Sequence, residues 1–181
     1  MLVGFMGAGK SSVGRALAAQ LGWSFEDLDQ RIERREDRTV AEVFRDSGEA
    51  EFRRSEHEAL KELLEEWNAA SGKVIALGGG AFVHESNALL IESLKIPTVF
   101  LDAAVDELWR RCTRQSAESG TERPLLKESE GFRELYEKRR PYYLKASLIH
   151  DTGGKMVEQI AAELIQVLGL TRRSGNQGEN S

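Results

Sequence analysis

From Gly4 to Ser11 the chain reads Gly-Phe-Met-Gly-Ala-Gly-Lys-Ser, which satisfies G-x-x-x-x-G-K-[ST] at Gly4, Gly9, Lys10 and Ser11. Glycines at this spacing let backbone N–H groups turn inward around an anion, at the positive end of the helix that follows. Lys10 adds a point charge for β- and γ-phosphates, and the Ser11 hydroxyl can ligate Mg²⁺. Val13, Ala16, Leu17 and Leu21 then repeat at helical spacing up to Gly22, so a helix starts directly behind the loop. A chance glycine-rich turn would not need that helix. The stretch marks a nucleoside-triphosphate site, but it does not separate a kinase from an ATPase or a GTPase.

Other residues could complete a reaction. In a strand, Asp27 and Asp29 would face one space, one carboxylate helping to hold Mg²⁺ and the other facing an acceptor hydroxyl. In the first turn of a helix they would be solvated acids favoured by the dipole. Arg53 lies one turn into a charge-rich helix after Gly48. It is either a planar fork for a carboxylate or one partner of a surface pair with Glu56. Gly78-Gly79-Gly80 closes a β-type run, where missing side chains let backbone approach a small ligand at a strand's carboxyl end. Arg123, in Arg-Pro-Leu-Leu, lies in a polar stretch over 115–130. On a closing flap it would neutralise charge on a transferred phosphoryl group and exclude water. Arg139 and Arg140 precede Pro141 and read as a charge complement at a helix end. His57, His84 and His150 lack metal-ligand spacing and are expected at the surface or in caps, with Trp23, Trp67 and Trp109 in the core.

A chain of 181 residues that is 40% hydrophobic and 30% charged suits one soluble domain with a real core. A net charge of -5 argues against non-specific binding to nucleic acid or an anionic membrane. Cys112 is the only cysteine, so no internal disulfide can form and a reducing compartment is expected. Apolar runs such as Val74 to Leu77 fall short of a membrane span, and the N-terminus lacks a signal-peptide pattern. A cytoplasmic monomer acting on small molecules, with no nucleic-acid or membrane partner, is expected.

The elements that must position these residues alternate in type. Extended pieces are predicted near Trp23–Phe25, Lys73–Leu77, Thr98–Leu101 and Leu148–Ile149. Helices are predicted over Lys10–Leu21, Asp27–Arg35, from a capping box at Thr39-Val40-Ala41-Glu42 to Gly48, over Glu49–Trp67, around Leu89–Leu94, over Asp106–Arg114, from Phe132, and over Val157–Leu168. Alternation of this kind predicts an α/β fold, a mostly parallel sheet with helices on both faces. One domain is expected over 1–170, with a mobile lid at about 115–130 and a disordered tail over 171–181, which lacks apolar content.

GFMGAGKSSVG, Phe25-Glu26-Asp27-Leu28-Asp29, SGEAEFR, LGGGA, FLDA, RPLL and Leu135-Tyr136-Glu137-Lys138-Arg139-Arg140-Pro141 together resemble the shikimate kinase family, over nearly the whole chain to about Leu168. The resemblance implies a three-layer α/β/α P-loop kinase fold with a five-stranded parallel sheet and a lid. It implies transfer of the γ-phosphate of ATP to the 3-hydroxyl of shikimate, with Mg²⁺, in the chorismate pathway to aromatic amino acids. Gly7, Ala8, Gly9, Lys10, Ser11 and Ser12 would wrap the phosphates, with Ser11 on Mg²⁺ and Asp27 near it. Asp29 would bind and deprotonate the acceptor hydroxyl, Arg53 and Arg139 would grip its carboxylate, and Gly79 and Gly80 would contact its hydroxyls. Arg123 would be the lid arginine on the ATP phosphates.

The chain departs from that family in four places. Only Met1, Leu2 and Val3 precede Gly4, so a shortened central strand is expected. Ser12 stands where Thr is commoner, and the segment between Arg114 and Arg123 is longer than usual. Gly153, Gly154 and Lys155 follow Asp151-Thr152, where many members place a basic residue against the adenine. Two other readings remain open, a gluconate kinase-like enzyme and a non-catalytic binding module with this fold.

Overall fold

In the computed structural model, which describes residues 1–67, 72–119 and 129–172, the strand before the glycine loop is short but central. β1 is Leu2–Val3, and it lies in the middle of a five-stranded sheet ordered β2-β3-β1-β4-β5. The other strands are β2 Ser24–Asp27, β3 Lys73–Ala76, β4 Val99–Asp102 and β5 Leu148–Asp151, and every pairing is parallel. Leu2 is in register with Ala76 on one side and Val99 on the other. The Leu77 N–H donates to the Leu2 carbonyl and extends that pairing. The expected shortening is real, yet Leu2 and Val3 are each only 1% exposed, so the little strand sits at the centre of the core.

The helices are α1 Lys10–Leu21, α2 Leu28–Glu36, α3 Val40–Glu65, α4 Glu85–Ser93, α5 Val105–Ser119, α6 Ser129–Tyr143 and α7 Val157–Val167. The chain steps one way across the sheet from β1 to β2 and the other way thereafter. Right-handed crossovers therefore cover both faces. α1 packs against α7, and α2 against α3. β3 and β4 carry near-continuous buried apolar residues, as strands covered on both faces require.

Local chemistry fixes the element ends. Gly22 caps α1 at φ 66°, its N–H directed at the carbonyls of Ala18 and Ala19. Thr39 and Glu42 form a reciprocal capping box at the start of α3. Gly48, at φ 79° and ψ 173°, breaks α3 where the sequence predicts a stop, and the helix resumes at once. α5 is longer than predicted, because Gln115 to Ser119 continue the helix instead of opening a loop. Gln, Ala and Glu are adequate helix formers, and polarity alone is a poor marker of a loop. His150 is buried at 9% exposure, its Nε2 3.0 Å from the Glu163 carboxylate, which corrects the expectation of a surface or capping residue. Trp23 and Trp109 are half-buried against the core, and Trp67 is half-buried as well. Most of the expected lid and nearly all of the expected tail lie outside the described residues.

Leu2 makes the structure sensitive to a short segment. Leu2→Ala is expected to lower the free energy of unfolding by about 2–5 kcal/mol, the usual penalty for a truncated core leucine. Leu89→Ala, at a side chain 57% exposed, is expected to change it by less than about 0.5 kcal/mol. Urea titration followed by circular dichroism checks both.

Candidate active site

The carboxyl ends of the strands gather the chemistry on one edge of the sheet. The loop after β1 turns through Gly4, Gly7 and Gly9, with φ of 144°, 79° and 84°, so its N–H groups converge ahead of α1. A Cβ on Gly7 would stand 2.6 Å from the Leu108 carbonyl oxygen and 2.8 Å from the Cys112 sulfur. The loop therefore rests directly on α5. Lys10 Nζ donates to the carbonyls of Gly4 (2.9 Å) and Phe5 (3.0 Å), which holds its charge over the loop. Ser11 Oγ donates to Asp27 Oδ2 at 2.5 Å, so the hydroxyl and carboxylate expected near Mg²⁺ share one point.

A cleft of about 940 Å³ runs from this loop, Asp27, Asp29 and Gly79 to Arg110, Arg111 and Arg114 on α5 and the turn after β5. Arg111 is anchored, with Nη2 donating to the Thr152 carbonyl at 2.9 Å and Nε to Glu107 at 3.0 Å. Lys155 also lines the cleft, its ammonium donating to Glu163 at 2.8 Å. The basic wall on α5 was not read from the sequence. Its signal is Arg110, Arg111 and Arg114 clustered inside the predicted helix, whose facing only the packing of α5 under the loop reveals.

Beyond the phosphate loop, the three glycines after β3 each lie against one charged side chain, and Gly78 and Gly80 make room for theirs. A Cβ at Gly78 would lie 2.4 Å from Asp29 Oδ1, one at Gly79 3.7 Å from Arg139 Nη1, and one at Gly80 2.5 Å from Arg53 Nη1. Asp29, Arg139 and Arg53, predicted separately, thus meet around Gly78-Gly79-Gly80. The glycines seat protein groups as well as leaving backbone open to a ligand. Asp27 and Asp29 do not share a strand. β2 ends at Asp27, whose carboxylate caps α2 by accepting the Asp29 N–H at 3.1 Å, and Asp29 lies in the first helical turn. Both acids still line the same cleft.

Arg53 combines both of its expected characters. It pairs with buried Glu56, Nη1 to Oε2 at 2.9 Å, and with exposed Glu49 at 3.2 Å, its own side chain lying largely beneath the surface. Its guanidinium lies over Phe44 and Phe52, rings that stack with centroids 4.3 Å apart. Glu56 is 1% exposed and its Oε1 has no hydrogen-bond partner. Burial pushes its carboxyl above the usual range against the pull of Arg53. The sequence shows the i, i+3 spacing of Arg53 and Glu56 but not that the pair faces inward. Tyr143 was missed altogether. Its hydroxyl donates to the Gly79 carbonyl, and burial raises its pKa to about 12. Arg123 lies outside the described residues.

Burial first, then repulsion from Asp27, pushes the Asp29 carboxyl from an ordinary 3.8 up to about 6, while Lys10 and Arg53 pull it down. It remains ionised at neutral pH and is a better proton acceptor than an exposed aspartate. Ser11 Oγ and the Asp27 carboxylate are hard oxygen donors that fit Mg²⁺. Among the described residues no cluster of three or more His, Cys, Asp or Glu could hold a metal. Mg²⁺ sites on nucleotides use one or two protein oxygens and complete their shell with phosphates and water.

A triphosphate loop that opens beside an acid and two guanidinium groups defines a P-loop kinase for small anionic alcohols. The sequence model of the family described as shikimate kinase matches residues 6–169. A shikimate kinase of Cereibacter sphaeroides is 40% identical over 171 residues, covering 93% of this chain and 81% of its own. The structure of shikimate kinase from Acinetobacter baumannii in complex with shikimate superposes with a TM-score of 0.81 at 33% identity, over 92% of this chain and 90% of that one. The chain belongs to the shikimate kinase family. A gluconokinase from Sinorhizobium meliloti, at 20% identity and a TM-score of 0.61 over 93% of this chain and 89% of that one, shares the fold alone.

The buried acid has a consequence for stability. The folded pKa of Asp29 lies above its unfolded value, so the folded state takes up the proton first. Stability therefore falls as pH rises from about 4 through about 6, and the full penalty is present above that window. Asp29→Asn is expected to be more stable than the parent at pH 8 by up to about 3 kcal/mol. The gap should close as pH falls below about 4. Urea unfolding of both proteins across this range checks the sign.

Proposed function

We propose that the chain is a shikimate kinase that transfers the γ-phosphate of ATP to the 3-hydroxyl of shikimate, yielding ADP and shikimate 3-phosphate in the chorismate pathway. The observation that carries the reading is the convergence of Asp29, Arg139 and Arg53 on Gly78-Gly79-Gly80, next to the phosphate loop. An acceptor with one carboxylate and several hydroxyls matches that charge pattern. Residues 1–170 act as one unit, a cytoplasmic monomer with ATP and shikimate as its partners. No helix among the described residues is long and apolar enough to cross a membrane.

Gly7 to Ser12 wrap the phosphates with backbone N–H groups, and Lys10 places its charge on the β- and γ-phosphates. Ser11 and Asp27 are the protein ligands for Mg²⁺, which when bound neutralises charge on the phosphate oxygens. Asp29 accepts the proton of the attacking hydroxyl. Arg53 and Arg139 hold the acceptor carboxylate, and the backbone of Gly79 and Gly80 orients its hydroxyls. Arg123 acts from the lid on the ATP phosphates and shields the site from water, the competing acceptor. Positioning and electrostatics supply most of the rate.

A gluconate kinase-like reading shares an acid and a carboxylate grip, and a non-catalytic module would keep the fold without turnover. Purified protein with ATP and Mg²⁺ is expected to release ADP when shikimate is added and not when gluconate replaces it. Absence of shikimate-dependent ADP from a folded sample would refute the kinase reading. Gluconate turnover would favour the alternative. Arg53→Ala is expected to raise the shikimate KM by an amount worth about 2–5 kcal/mol. The same substitution leaves Glu56 buried without its cation, so the melting temperature should fall as well. An unchanged KM would return Arg53 to a structural role.

A further inference from the structure

α6 is held in place by a carboxylate that does not line the cleft. Asp102, the last residue of β4, accepts the Ala103 N–H at 3.0 Å and the Tyr136 hydroxyl at 2.9 Å on Oδ1. Its Oδ2 accepts Arg140 Nη2 at 2.9 Å. Arg140 Nε donates in turn to the Tyr136 hydroxyl at 3.1 Å, which closes a ring of hydrogen bonds through three side chains. The Asp102 side chain is 17% exposed and that of Arg140 41%. As a bare ion pair at that exposure it would contribute little. What it provides is geometry.

That geometry acts on Arg139. Arg139 adjoins Arg140 and lies three residues, almost one turn, after Tyr136. The Tyr136 ring also meets Phe5 of the phosphate loop edge-on, with centroids 5.5 Å apart. One turn beyond Arg139, the Tyr143 hydroxyl donates to Gly79 and its ring packs on Phe100 at 5.2 Å. Arg139 therefore springs from a helix pinned to the end of β4 on one side and to the glycine loop after β3 on the other. A long side chain magnifies any roll of the helix that bears it, so both pins bear on where the guanidinium arrives relative to Gly79.

We propose that Asp102, Tyr136 and Arg140 are positioning residues for Arg139, setting the acceptor-carboxylate site without touching the acceptor. The proposal rests on the assignment of Arg139 to that carboxylate. Asp102→Asn and Arg140→Ala are expected to raise both the shikimate KM and its calorimetric Kd by about tenfold, with kcat and the ATP KM within about twofold of the parent. Arg140→Lys should recover part of the loss. Tyr136→Phe keeps the ring packed on Phe5 and removes only the hydroxyl, so it tests the same idea if Asp102→Asn fails to fold. In an Arg139→Ala background, Asp102→Asn should add little further loss, because both act through one group.

An unchanged shikimate Kd in folded Asp102→Asn or Tyr136→Phe overturns the proposal. Equal rises in the ATP and shikimate constants overturn it too, since they signify general loosening. If Arg139→Ala itself leaves shikimate binding unchanged, the assignment beneath the proposal fails. A loss in Arg139→Ala with none in Asp102→Asn leaves that assignment standing and removes only the positioning role.

Discussion

The absence of side chains at Gly78, Gly79 and Gly80 is the constraint on which the acceptor half of the molecule depends. Asp29, Arg139 and Arg53 come from three different helices; Asp29 and Arg53 come to rest where a Cβ on Gly78 or Gly80 would be, and Arg139 lies in van der Waals range of a Cβ on Gly79. An alanine at Gly80 would have to displace the Arg53 guanidinium, which Glu56, Phe44 and Phe52 hold from behind. The entropy that three consecutive glycines lose on folding is offset by the freedom to bring an acid and two guanidinium groups to one loop. Tyr143 adds a hydrogen bond to the Gly79 carbonyl, so the loop is fixed although it has no side chains of its own to anchor it.

Charge balance follows from that convergence. Asp29 and Glu56 are both pushed upward by burial, and the positive groups that oppose this are Lys10 and Arg53 for one, Arg53 and Arg139 for the other. Two acids therefore share a cation that the proposed reaction also uses for its substrate. Such a site sacrifices stability for reactivity, as functional sites commonly do. An arriving carboxylate would enter a space that already holds acids, so the two guanidinium groups must balance more negative charge than the acceptor alone brings.

The features legible in the sequence are those with local causes. The phosphate loop, the Gly22 stop, the Thr39–Glu42 capping box and the break at Gly48 are each determined by residues within one turn of one another, and each is present as expected. Asp27 and Asp29 were grouped correctly, though a helix cap joins them and not a shared strand face. Arg53 was left between a surface pair and a ligand fork, and only the packing of Phe44 and Phe52 reveals that the pair is internal. Glu56, Tyr143 and the Asp102–Arg140 contact depend on partners 38 or more residues away or on tertiary burial, which periodicity and capping rules do not carry. The sequence places the end of α5 five residues early, at Arg114 instead of Ser119; Arg110, Arg111 and Arg114 fall inside the predicted helix, but which way they face depends on its packing.

Leu2 finds its partners at Ala76 and Val99, both far later in the chain. The middle of the sheet cannot close until both flanking strands exist, and contacts that span so much chain are formed slowly. During synthesis the phosphate loop would precede both flanking strands and wait, unsupported, until they have emerged. Its partners on α5, Leu108 and Cys112, come later still. The part of the molecule most easily recognised on paper is thus among the last to acquire its shape.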